Sequence, residues 1–311
     1  MGADFVMLSL TPLLIGIAAA VACALPGNFL LLRRQALIGD AISHVVLPGI
    51  VVAFLLTGVV AALPMMLGAG AAALVAVVLI EVIRRLGRIE PGAAMGVVFT
   101  AMFAGGVLLL EQSATSGVHL DVQHALYGNL ESLVWLDGYG WAALWDREAL
   151  RALPPELPRM AAVMLGVVVF TAVMWRALVI ATFDEGFARS MGLPVQALSL
   201  SLIVVAAIAA VAAFDAVGSI IVIAMFICPP AAARMMTNRM GAQVVWSVGF
   251  AVLPAVLGYV LAGYGPLWLG YDNAVSAAGM IATVSGVILG LAALAGPCRT
   301  GGDAQASGAF S

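Results

Sequence analysis

The sequence predicts an all-α, multi-pass membrane protein with about nine transmembrane helices, within a range of eight to ten. Three observations predict it. Hydrophobic residues make up 64% of the 311 and charged residues only 9%, against about 25% charged in soluble domains. The apolar residues run on for about 20 positions at a time, the length that crosses a bilayer as a helix, and do not alternate as barrel strands do. The chain also has no lysine: its 13 basic residues are all arginine, clustered at the ends of apolar runs.

The predicted spans are 8–32, 38–57, 59–83, 92–111, 159–180, 195–214, 216–235, 243–263 and 273–296. Arg33 and Arg34 follow the first span; Arg84, Arg85 and Arg88 follow the third. Arg234 and Arg239 follow the seventh, and Arg299 follows the last. Positive residues favour the cytoplasmic side, so the N-terminus is expected outside and the C-terminus inside. Ten arginines then lie inside, Arg176 and Arg189 among them, and three outside: Arg147, Arg151 and Arg159. Those three lie in a long loop, where the rule loses force. The net charge of −3 decides little. The start, Met-Gly-Ala-Asp-Phe, lacks a basic region, so no cleaved signal peptide is expected.

Residues 1–296 read as one membrane domain. The longest interruption, 112–158, is an outer loop whose piece from Val118 to Leu136 is moderately apolar. If that piece crossed the membrane, Arg234, Arg239 and Arg299 would fall outside, so a re-entrant or surface-lying helix is expected. From Pro297 to 311 the chain is Gly/Ala/Ser-rich and polar, as a disordered cytoplasmic tail would be. Gly92 and Gly96 form a small-residue pair suited to helix packing, a weak signal among 34 glycines. Cys23, Cys228 and Cys298 have no metal-type spacing and suggest packing rather than a disulfide.

Asp40 and His44 stand four apart inside an apolar stretch, so a helix places them on one face, one turn apart. Ionisable groups inside a membrane are costly and mark function by default. A carboxylate and an imidazole are also oxygen and nitrogen ligands for a first-row divalent cation. The competing reading is a polar pair that only bonds neighbouring helices, at roughly 0.6–2 kcal/mol per contact. Pro48 and Gly49 follow one turn later and loosen the helix, which is tolerated where a cavity is lined. Two ligands bind a cation weakly, whereas two such pairs facing across a dimer axis supply four.

His119, Asp121 and His124 are a second candidate set, on the outer loop. Glu111, Glu131, Asp137, Asp146, Glu148 and Glu156 share this segment, and a negative mouth concentrates cations. The alternative is a solvated loop that docks on a partner. Asp215 and Gly218 mark an outer turn where a carboxylate is more often simply solvated. Pro229 and Pro230 are expected to break the seventh span near its inner end.

Read in order, these segments resemble a permease of the metal-cation (zinc, manganese, iron) family of ABC importers. The resemblance is carried by residues 32–49, with Gly-Asp-x-x-x-His-x-x-x-Pro-Gly as the most specific part, by Ala-Leu-Tyr-Gly-Asn-Leu at 125–130, by 183–194 and by 217–233. Related members often show Phe-Gly where this chain has Tyr127-Gly128, a mild departure. The resemblance implies that Asp40 and His44 lie on the metal pathway. It also implies that 183–194, with Asp184, Glu185, Ala188 and Gly192, is a cytoplasmic coupling segment that docks on an ATPase in the helix-in-groove manner. It further implies a core of two permeases (identical or related), cytoplasmic ATP-binding subunits and an extracytoplasmic metal-binding protein, with no permanently bound cofactor and no nucleic acid.

The chain itself is not expected to be an enzyme. Without lysine it cannot contain Gly-x-x-x-x-Gly-Lys-Ser/Thr. An intramembrane metalloprotease would need paired zinc-ligand histidines with a glutamate, and His44 is the one histidine within a predicted span. The competing transport reading is a gradient-driven carrier or channel with Asp40 as proton relay. Mixed oxygen and nitrogen ligation does not choose among Zn²⁺, Mn²⁺ and Fe²⁺.

Overall fold

The computed structural model describes residues 5–36, 38–58, 62–112, 130–268, 270 and 275–297. These residues form helices and loops, with no strand among them. The helices are α1 (Val6–Leu32), α2 (Ile38–Thr57), α3 (Ala62–Gly87), α4 (Pro91–Gln112), α5 (Arg147–Arg151), α6 (Glu156–Val173), α7 (Trp175–Phe183), α8 (Glu185–Ser190), α9 (Val195–Val217), α10 (Ser219–Met236), α11 (Met240–Trp268) and α12 (Ala277–Ala295). Among the described residues, eight of them are long and apolar enough to cross a membrane. The twenty-residue α2 is the ninth long apolar helix, so the nine predicted spans each meet a helix.

Apolar side chains gain little by leaving lipid for protein, so membrane helices associate through close packing of small residues. The central helix α1 follows this rule. Its run Ala18-Ala19-Ala20-Val21-Ala22-Cys23-Ala24 is buried on every side. It packs against α6, α9, α10 and α11. Helix α2 leans on α3 and α4 and also reaches α9 and α10, while α12 closes against α10 and α11. Large apolar side chains such as Leu67, Val78, Leu165, Val245 and Leu294 stay exposed on the outside of the bundle, as a lipid-facing surface requires.

Buried polar groups tie α1 to α11. Asn28 Nδ2 donates to the Ala24 carbonyl at 2.8 Å, and Gln243 Nε2 donates to Asn28 Oδ1 at 3.2 Å. Cys23 and Cys228 are free thiols, in line with a packing role.

Three departures from expectation have physical reasons. Pro229 and Pro230 do not break α10, which runs through both to Met236. Both prolines are buried, and Pro230 lies against Gly27 of α1, where packing compensates for the lost backbone bonds. The span expected at 159–180 is two helices, α6 and α7, that meet at Met174. There Trp175 packs edge-on against Phe29 of α1, with ring centroids 6.0 Å apart, and draws the chain inward. The described end of the 112–158 loop is not a continuous helix: Leu130–Ser132 is a 3-10 turn, followed by irregular chain to Trp135 and a turn at 136–137. The rest of the expected re-entrant piece, up to residue 129, lies outside the described residues, as does the tail from 298.

The segment 130–153 is a small packed unit rather than a loose loop. Trp135 is buried with Val6, Ala143 and Ala149. Its indole N–H donates to the Ala149 carbonyl at 2.9 Å, and its backbone N–H donates to the Met7 carbonyl at 2.9 Å. The Asp146 carboxylate caps α5 by accepting from the Glu148 N–H. The Glu131 carboxylate accepts from the Ala277 N–H and so seats on the positive end of α12.

Candidate functional site

The site is built on α2, and its neighbours fix that helix by backbone contact. A side-chain carbon on Gly49 would lie 2.5 Å from the Gly68 carbonyl oxygen of α3. One on Gly39 would lie 2.7 Å from the Phe226 ring of α10. Only glycine allows these approaches. Gly39 immediately precedes Asp40, so the backbone just before the acidic position lies close against α10.

His44 is half-buried one turn further along. Its ring is stacked on Phe99 of α4, with centroids 5.3 Å apart and 23° between planes. Phe103, one turn on, meets it edge-on at 5.8 Å. The two phenyl rings hold the imidazole from the α4 side and fix the plane of its ring. Below this level Val45, Ala76 and Val98 close an apolar layer between α2, α3 and α4. Asp40 occupies its expected position on α2, one helical turn before His44; its side chain lies outside the described set. Among the described residues no group of three or more His, Cys, Asp and Glu side chains gathers into a metal cage.

His119, Asp121 and His124, and Tyr127-Gly128, lie outside the described residues. Among the described residues, three of the carboxylates expected on the outer side have structural partners: Glu131 and Asp146 bind helix ends, and Asp215 at the end of α9 pairs with Arg159 of α6. Gly218 turns the chain from α9 into α10 at a φ of 81°, a conformation that favours glycine.

The 183–194 segment folds into the short helix α8. Asp184 caps it, its Oδ1 accepting from the Phe187 N–H at 2.8 Å. Glu185 and Arg189 form an exposed i,i+4 ion pair at 3.1 Å. Ala188 faces inward and is buried with Ala181, Val195 and Leu198. Gly192 ends the helix at a φ of 77°. Thus Ala188 and Gly192 seat α8 on the bundle, while Glu185, Arg189, Phe187 and Met191 remain exposed.

One residue that motif reading passed over joins the two regions. Arg33, at the end of α1 and just before α2, donates from Nε to the Thr182 hydroxyl at 3.0 Å. Burial lowers the affinity of its guanidinium for its proton, and the Glu185 carboxylate raises it. Arg34 follows at a φ of 58°, a left-handed joint between α1 and α2. Neither feature has a sequence signal beyond an arginine at a span end. Phe99 and Phe103 could have been found from their i,i+4 spacing on the span two elements after His44.

Long apolar helices packed in one bundle, with an aspartate and a histidine one turn apart on α2, define a multi-pass membrane protein. The chain belongs to the ABC 3 transport family, whose pattern it matches over residues 7–137 and 149–296. It is 36% identical over 290 residues to the manganese transport system membrane protein MntD of Bacillus subtilis (strain 168), covering 91% of this chain and 90% of that one. It is 35% identical over 284 residues to the zinc transport system membrane protein TroD of Treponema pallidum (strain Nichols), covering 91% and 73%. Among solved structures, its fold is similar to PsaBC from Streptococcus pneumoniae in complex with Fab. The TM-score there is 0.73 at 24% identity, covering 95% of this chain and 94% of that one. The chain is thus an ABC-type permease of a family whose relatives are named for metal transport.

Proposed function

We propose that this chain is the permease subunit of an ATP-driven importer that carries a divalent transition-metal ion, Zn²⁺, Mn²⁺ or Fe²⁺, across a bacterial cytoplasmic membrane. The observation that carries the reading is His44, held by Phe99 and Phe103 inside an apolar helix one turn from Asp40. The ion is cargo, and no permanently bound cofactor is invoked. Two ligands hold a cation briefly, which suits a site that must release it. A second permease, identical or related, would bring a facing pair and complete a four-ligand site.

Transport then runs by alternating access. An extracytoplasmic metal-binding protein delivers the ion to the outer face. The ion passes to the Asp40/His44 level. Separate cytoplasmic ATP-binding subunits hydrolyse ATP, and α8 conveys their movement into the bundle. The N-terminus lies outside and the C-terminus in the cytoplasm, as the arginine distribution favours.

The test is uptake of radioactive zinc, manganese and iron into proteoliposomes holding the permease with its ATP-binding subunits. Uptake should need ATP. Asp40→Ala and His44→Ala should abolish it while the ATP-binding subunits still copurify. Wild-type uptake in both variants would remove the site. ATP-independent uptake by the permease alone would replace the importer with a gradient-driven carrier.

A further inference from the structure

On the arginine-rich side of the bundle a cavity of about 590 Å³ opens between the start of α2, the last turns of α3, the start of α4, and α8 and α9. Its described charged lining is Arg33, Glu81, Arg84, Glu185 and Arg189. Glu81 pairs with Arg84 at 2.9 Å, and Glu185 pairs with Arg189 at 3.1 Å. Among the described lining residues, Arg33 is the cation outside these two ion pairs. Its Nε is bonded to Thr182, but its Nη2 is buried with no hydrogen-bond partner. Two residues on, Gln35 also lines the cavity; it is 7% exposed, and its Oε1 is buried without a partner.

A buried donor and a buried acceptor left open on the lining of one cavity are each costly, at about 1–3 kcal/mol or more for a charged group. We propose that this cavity binds a singly charged phosphodiester that carries a neighbouring free hydroxyl, the chemistry of a glycerol-type phospholipid headgroup. The guanidinium takes an anionic phosphate oxygen in a charge-assisted bond. The hydroxyl donates to Gln35 Oε1. The anionic oxygen meets the Arg33 guanidinium, a group that repels a metal cation. The remaining walls, including Ile38, Ile80, Leu200 and Ile203, are apolar. Leu200 lines the cavity and is also 46% exposed, so the apolar wall continues onto the lipid-facing surface, where acyl chains lie. Basic pockets between membrane helices are suited to acidic headgroups. The inference is independent of which ion is transported.

The test is lipid retention by the intact, detergent-purified transporter, read by native mass spectrometry. The probes are dioleoylphosphatidylglycerol, dioleoylphosphatidic acid, which lacks the headgroup hydroxyl, and dioleoylphosphatidylcholine, which has no net charge. The wild type should retain one phosphatidylglycerol per permease in preference to phosphatidylcholine. Arg33→Gln should lower that retention about tenfold or more, the loss of one charge-assisted bond. Gln35→Met should remove the preference for phosphatidylglycerol over phosphatidic acid while phosphatidic acid is still held. Displacement of the lipid by millimolar soluble glycerophosphoglycerol would support the same site and assign it to the headgroup alone; no displacement would support it as a site for the whole lipid. Equal retention of phosphatidylglycerol and phosphatidylcholine by the wild type, or undiminished phosphatidylglycerol in Arg33→Gln, overturns the proposal. Should Arg33→Gln fail to fold, the wild-type comparison and Gln35→Met still decide it.

Discussion

His44 of α2 and Phe99 of α4 stack face to face, 5.3 Å between centroids and 23° between planes. An aromatic pair of this kind adds about 0.5–1.5 kcal/mol beyond the area it buries. Its consequence here is orientation, because the imidazole of a brief-contact site must already point where the ion passes. Phe99→Ala is therefore expected to weaken transport without abolishing it. The half-saturating metal concentration in the uptake assay should rise several-fold, and uptake at saturating metal should fall less. Abolished uptake at every metal concentration, with a folded and assembled protein, would assign Phe99 more than an orienting role.

Gly39 sits where any side chain enters the Phe226 ring, 2.7 Å from the position of its first carbon. Gly39→Ala should cost roughly 1–3 kcal/mol through overpacking, read as a lowered melting temperature in detergent. In a Phe226→Ala background Gly39→Ala should cost less, since the ring carbons at 2.7 and 2.8 Å are then gone. Absence of any such rescue would show that the contact does not set the helix spacing.

Ala188 is buried where α8 rests on α7 and α9. Ala188→Leu should lift α8 away from the bundle. The expected result in proteoliposomes is continued ATP hydrolysis with little metal uptake. Tight coupling retained in this variant would mean that α8 does not pass movement inward.

Asp215 pairs with Arg159 at the outer ends of α9 and α6, with both side chains partly open to solvent. Exposed pairs contribute about 0–1 kcal/mol. Asp215→Asn is expected to leave both the melting temperature and metal uptake near wild type. A large loss of uptake would place Asp215 on the ion's route.

Much of this was legible in the sequence because membrane helices obey one strong constraint: every backbone group must be bonded within the segment. Continuous apolar runs therefore located nine helices, most within a few residues of their ends. What the runs could not show is how neighbours alter a helix. Pro229 and Pro230 read as a break, yet tight packing against Gly27 carries α10 through them. The bend at Met174 comes from Trp175 reaching Phe29, 146 residues away in the chain (175 minus 29), and no local signal announces it. At the site, the Asp40/His44 spacing was readable because it needs only helix geometry. The phenyl rings around His44 and the Arg33 bond to Thr182 depend on which helices meet, and sequence order alone does not give that.

Phe226 of α10 stands directly over Gly39, and its own carbonyl lies 2.5 Å from where a side-chain carbon on Gly27 would be. One residue thus joins three helices, through its main chain to Gly27 of α1 and through its ring to Gly39 of α2. The register of α2 against α10, just ahead of the aspartate, is therefore set by a single aromatic side chain.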